Sequence, residues 1–239
     1  MEAIGYRWPA FYIGDLLIAQ GKTDEGLAVF KDLEALESRV GKRSGSLFGQ
    51  IRTKHGDVLM RRLKGPVQAD GMSEEDRATL SDAIEQYDQA TVVAPDYLPP
   101  KLKLARIMKD IGRYAEAFVQ IQDTLRIDPQ NPDAMFMTAQ IASSQNYYEP
   151  AAQQLVKLLT LEPRYLPAHL ELARVMNLGG QKEAAIDELN RTLVLFPNHP
   201  QVLAMLGELT GRPTTQPATQ AATQPGPVST TAPTADPAR

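Results

Sequence analysis

Residues 98–131 read LPPKLKLARIMKDIGRYAEAFVQIQDTLRIDPQN. The stretch opens on Pro99 and Pro100 and closes on Pro129. Pro99 suits the first turn of a helix, where a missing N–H costs little. Pro129 offers no donor and its ring clashes with the turn before it, so it stops a helix. Gly112 divides the stretch, and glycine tolerates the left-handed conformation that ends a helix. The pattern predicts helix, tight turn, helix, stop.

The same punctuation recurs along the chain. Pro95, Pro129, Pro163 and Pro197 stand 34 residues apart, each followed closely by a second proline: Pro99, Pro132, Pro167 and Pro200. Asn131 is a good N-cap before such a proline; His199 is a poorer one. Gly21, Gly112 and Gly180 share one offset in their units, and Asn146 takes that place in the fourth. Small residues mark where paired helices should cross: Gly14, Ala105, Ala139 and Ala173 on the first helix, Gly26, Ala83, Ala117, Ala151 and Ala185 on the second. Around them Leu104 and Met108, Leu172 and Met176, and then Phe30, Tyr87, Ile121, Leu155 and Leu189 keep the spacing of buried helical stripes. A period of 34 is that of a two-helix solenoid unit, which stacks into an array with a long open groove.

These residues resemble the tetratricopeptide repeat family. Its unit has a large then a small residue in the first helix, an alanine opening the buried face of the second, and a closing proline. The fit is best for Leu104-Ala105, Gly112, Tyr114, Ala117 and Pro129. Thr138-Ala139, Tyr148, Ala151 and Pro163 follow, then Leu172-Ala173, Gly180, Ala185 and Pro197. The resemblance is strong over 98–199 and weaker over 7–95. It implies an all-α, right-handed superhelical solenoid of antiparallel helix pairs. The units expected are 7–40, 46–95, 98–131, 132–165 and 166–199, with a capping helix over 200–210 and eleven helices in total. The second unit is irregular: Gly65 to Ser73 is longer than a tight turn. Ser73 followed by Glu74, Glu75 and Asp76 is a plausible helix start.

Composition bounds the function. The 239 residues include no cysteine, so disulfides and thiolate chemistry are excluded. No apolar run approaches the roughly 18 residues of a membrane span. Residues 212–239 are dominated by Thr, Pro, Ala and Gln and are expected to be a disordered tail outside the 1–211 repeat domain. Arg212, Arg239 and Asp236 are the only charges there, so 1–211 hold 23 basic and 28 acidic side chains. That balance speaks against non-specific binding to nucleic acid or an anionic membrane. Met1–Gln20 does not read as a signal peptide. The first unit begins within a few residues of Met1 with nothing to cap it, which suggests the C-terminal piece of a longer protein. The default compartment is cytoplasmic, or periplasmic or membrane-associated should a signal or anchor lie upstream.

A catalytic set is not apparent. His55, His169 and His199 are far apart, and a unit touches only its neighbours. His55 falls at a buried packing position, and His169-Leu-Glu171 lacks metal-ligand spacing. Gly179-Gly180 is a helix–helix turn rather than a phosphate loop, because no Lys-Ser/Thr follows. Tyr147-Tyr148 reads as packing at the turn, like Tyr114. No cofactor or metal is expected.

By the resemblance, the inner wall is lined by first helices. The inward positions are Trp8, Phe11, Asp15 and Ile18; Leu102, Arg106 and Lys109; Phe136, Gln140, Ser143 and Ser144; and Leu170, Arg174 and Asn177. Arg106, Lys109 and Arg174 make the C-terminal half basic, whereas Asp15 and Asp57 make the other half acidic. An extended peptide with an acidic segment or a free carboxylate suits the basic half, with Phe136 seating an apolar side chain. Equally, these are solvated polar residues around helix contacts. A chaperone-binding subset of the family uses a lysine–asparagine clamp; here Arg106, Asp110 and Ser144 stand in its place, so that clamp is not expected. The reading is a non-catalytic scaffold for a protein or peptide. The alternative is a regulatory or docking part of a larger enzyme or envelope-assembly protein. RNA binding and direct catalysis rank below both.

Overall fold

A computed structural model describes residues 7–40, 45–68 and 70–211, with side chains except at 7–8 and 37–40. The tail expected over 212–239 lies outside the described residues. Eleven α-helices occur among those described: α1 (Arg7–Ala19), α2 (Thr23–Val40), α3 (Gly45–Arg62), α4 (Glu74–Val93), α5 (Leu98–Asp110), α6 (Tyr114–Ile127), α7 (Pro132–Ser144), α8 (Tyr148–Leu161), α9 (Leu166–Leu178), α10 (Lys182–Leu195) and α11 (Pro200–Thr210). No strand accompanies them among the described residues.

Four of the five hairpins turn in one way. Gly21, Gly112, Asn146 and Gly180 all have φ between 64° and 82°. In the α5–α6 turn the Gly112 N–H donates to the Lys109 carbonyl at 3.0 Å and the Arg113 N–H to the Met108 carbonyl at 2.7 Å. The same two bonds recur after α1, α7 and α9. They are the crossed pair that satisfies the last carbonyls of a helix around a left-handed residue. The α3–α4 link departs, as the sequence indicates. Ser73 Oγ accepts from the Asp76 N–H at 3.0 Å and starts α4, while Asp76 reaches back to the Lys64 N–H at 3.1 Å. Pro99, Pro132, Pro167 and Pro200 occupy first turns, and Asn131 caps α7 through the Ala134 N–H.

Within each of the last three hairpins one alanine from each helix is fully buried in a common cluster: Ala105 and Ala117, Ala139 and Ala151, and Ala173 and Ala185. Around them lie four successive apolar clusters, so the core is a ribbon running along the array. Val202 of α11 is buried against Ala185 and Leu189 and covers the last pair. From α1 to α9, each odd-numbered helix also touches the next odd-numbered one, more closely than the even-numbered helices touch each other. The odd helices therefore lie on the inner side of the curve.

Gly56 is a crossing residue that the repeat pattern hides. A Cβ there would stand 2.7 Å from Cε1 and 2.8 Å from Cζ of Tyr87. Tyr87 cannot withdraw: it is fully buried, and its hydroxyl donates to Asp57 at 2.8 Å. Alanine gains up to about 1 kcal/mol of helix propensity over glycine, but overpacking typically costs about 1–3 kcal/mol. Gly56→Ala should therefore destabilise the protein by about 1 kcal/mol in urea titration; an unchanged midpoint would show that the ring yields.

Candidate functional site

The inner wall is built on α1, α3, α5, α7 and α9. Its charges are mostly matched across neighbouring units. Lys54 of α3 meets Asp15 of α1 at 2.7 Å, and Lys103 of α5 meets Asp57 of α3 at 3.0 Å. The acidic N-terminal half expected from Asp15 and Asp57 is thus answered by two lysines. Arg174 donates to both carboxylate oxygens of Glu171, at 2.8 Å from Nε, and to Ser143 Oγ at 3.0 Å. The Glu171 bond holds its guanidinium above the ordinary range, against a smaller opposing effect of burial. Lys109 pairs with Asp110 at 2.8 Å.

Arg106 is different. It is exposed and has no hydrogen-bond or ion-pair partner among the described residues. It shares a cleft of about 290 Å³ with Asp57, Met60, Arg61, Tyr87, Lys103 and Ile107. Arg61 is exposed and equally without such a partner among the described residues. Two guanidinium groups and one ammonium thus face this cleft against the single Asp57 carboxylate. Burial, then the Asp57 charge and hydrogen bond, push the Tyr87 phenol far above its usual range, so it stays a neutral donor; Arg61 opposes the shift. Next to the cleft, Tyr165 donates to Asp133 at 2.8 Å. Burial and Asp133 raise that phenol too, with Arg106 opposing. Phe136 packs edge-on against Tyr165 with ring centroids 5.7 Å apart.

The remaining inward positions divide. Phe11 is buried and stacked on Phe30 at 5.8 Å, so it serves the core. Leu102 and Leu170 are half-buried and pack on core clusters. Gln140 is half-buried and Asn177 exposed. Trp8 lies in α1, and its side chain is outside the described residues. Sequence reasoning missed Arg61, Lys54 and Lys103. Aligning Gly56 with Gly14 and Ala105 would have placed Arg61 on the wall, one turn after Asp57.

His55 and His169 serve packing. His55 Nδ1 lies 3.0 Å from Glu34, and both side chains are largely buried. His169 lies between Glu188 at 2.6 Å and the Pro163 carbonyl at 3.0 Å. No group of three or more metal-binding side chains occurs among the described residues. No described helix is long and apolar enough to cross a membrane. Tyr148 packs at its turn and donates to Asn146 at 2.7 Å. Tyr147 does not follow the packing expectation: it is 60% exposed, on the rim of an apolar cleft with Tyr114, Phe118 and Pro150.

Neither a protein-family model nor a curated protein matches the sequence. Solved structures match its shape. A tetratricopeptide repeat protein from Parabacteroides merdae matches with a TM-score of 0.67 at 15% identity, over 87% of this chain and 75% of that one. PilW, a widely conserved type IV pilus biogenesis factor, gives 0.64 at 16% identity, over 88% and 89% of the two chains. YrrB, a TPR protein with an unusual peptide-binding site, gives 0.58 at 13% identity, over 82% and 90%. The chain has the tetratricopeptide-repeat fold, an all-α solenoid of helix pairs.

Proposed function

We propose that this protein is a non-catalytic interaction scaffold. It holds a segment of a partner protein along its inner wall and seats an acidic side chain or carboxylate in the cleft between Arg61 and Arg106. The carrying observation is that pair of guanidinium groups, which have no partner among the described residues and face one cleft. A carboxylate accepts two parallel bonds from such a fork, and the half-enclosed setting strengthens them. Half-buried Phe136 and Leu102 on the neighbouring inner-wall positions supply apolar contact. The acidic balance of the chain favours a protein over a nucleic acid as the partner. In this reading 1–211 form one domain of five units capped by α11, and 212–239 stand apart from it.

The test starts with the full chain as bait and the captured partner measured by calorimetry. Arg61→Ala with Arg106→Ala should weaken binding at least about tenfold, since a hydrogen bond to a charged group contributes about 1.5–3 kcal/mol. Arg174→Ala should change it less than about threefold, because Glu171 already occupies that guanidinium. Undiminished binding by the double variant would remove the cleft from the function.

A further inference from the structure

The cleft between α3 and α5 holds more positive charge than one carboxylate can answer. Among the described residues Asp57 is the only acid that lines it, and that group is already engaged. Its Oδ1 accepts from the Tyr87 hydroxyl at 2.8 Å and meets Lys103 Nζ at 3.0 Å. Lysine and aspartate cancel as a pair. Arg61 and Arg106 remain, two guanidinium groups with no hydrogen-bond or ion-pair partner among the described residues. Asp133 of α7 does not line the cleft and accepts from Tyr165 instead. Three cations less one carboxylate leave the cleft with a net charge of +2.

The supply of acceptor oxygens points the same way. Each guanidinium offers a fork of parallel N–H donors. A carboxylate has two oxygens and fills one fork, which leaves the second guanidinium short of an acceptor. A phosphomonoester has three terminal oxygens and, near neutral pH, a charge of about −1.5 to −2. It can meet both forks and cancels the charge of the cleft. Both arginine side chains are exposed and free to converge on one group within the space of about 290 Å³. A phosphodiester of nucleic acid carries a single charge, and the chain's acidic balance repels a string of them. We propose that the acidic group seated between Arg61 and Arg106 is a phosphorylated side chain of the partner protein, so that phosphorylation of the partner switches its binding. The proposal rests on the inner-wall reading and specifies the ligand of that site.

The probes are three degenerate libraries of short peptides with phosphoserine, glutamate or serine fixed at the centre, passed over the immobilised full chain. The phosphoserine library should be retained at least about tenfold better than either of the others, since it adds a hydrogen bond to a charged group. The best-retained phosphopeptide, measured by calorimetry, should lose at least about tenfold in affinity when Arg61→Ala is combined with Arg106→Ala. Arg77→Ala with Arg126→Ala removes the same charge from exposed sites on α4 and α6, and should change affinity less than about threefold. Circular dichroism establishes that the variants remain helical. Equal retention of the phosphoserine and glutamate libraries would overturn the proposal; the inner-wall reading would survive that result if the arginine pair still governs capture of the partner. Phosphopeptide binding that persists without Arg61 and Arg106 would overturn it too, by placing the phosphate elsewhere. So would tighter binding to phosphatidic acid vesicles through the same two arginines, because the phosphomonoester would then belong to a membrane.

Discussion

Glu188→Ala should destabilise the protein by about 3 kcal/mol, because breaking a buried pair leaves its partner uncompensated. Glu188 and His169 are each about nine-tenths buried, and the carboxylate meets Nδ1 at 2.6 Å. The other ring nitrogen faces the Pro163 carbonyl in the α8–α9 turn, and the ring lies edge-on to Phe196. One imidazole therefore joins α9, α10 and the turns at both ends of the fifth unit. Arg191, 3.8 Å from the second carboxylate oxygen, is too exposed to take over the role. Glu188→Gln keeps an acceptor in place and should lose about 1 kcal/mol. Replacing both residues, His169→Leu with Glu188→Met, should restore most of the loss, since no polar group is then left unsatisfied. Urea unfolding of the three variants checks the order; equal losses for Gln and Ala would show that the contact contributes little.

Leu155→Ala should cost about 3 kcal/mol as well, by a different route. Leu155 is fully buried in the cluster that joins α7, α8 and α9, among Met135, Ala151, Leu172 and Val175. Alanine leaves a cavity between rigid helices, and the fixed turns on either side restrict collapse into it. Because stability in a solenoid is a sum over units and their contacts, the loss is local. Hydrogen exchange should quicken in α7 to α10 while α3 and α4 keep their protection. Uniform acceleration along the whole chain would show a single cooperative block instead.

The regular half of this fold is plain in the residues. Gly112, Asn146 and Gly180 mark turns because only a few residues adopt positive φ cheaply, and the alanine crossings follow from how closely two helices pack. The second unit was harder. Its long α3–α4 link shifts the register, so Gly56 falls out of the 34-residue ladder and takes Arg61 with it. Charge matching across units was invisible for another reason. Lys54 and Asp15 are 39 residues apart, Lys103 and Asp57 46 apart, and nothing local records that one long side chain reaches back to the previous helix. Reading Arg174 as a free groove cation missed Glu171 for a simpler cause: three positions along a helix is the distance at which an ion pair forms.

The four matching left-handed turns also set what can change independently. Each hinge is made by main-chain bonds and one residue of suitable φ, so the joint owes nothing to the side chains on the wall. Cassettes cut at these joints could be exchanged, duplicated or recoded on their inward face while the linkage between them keeps its shape.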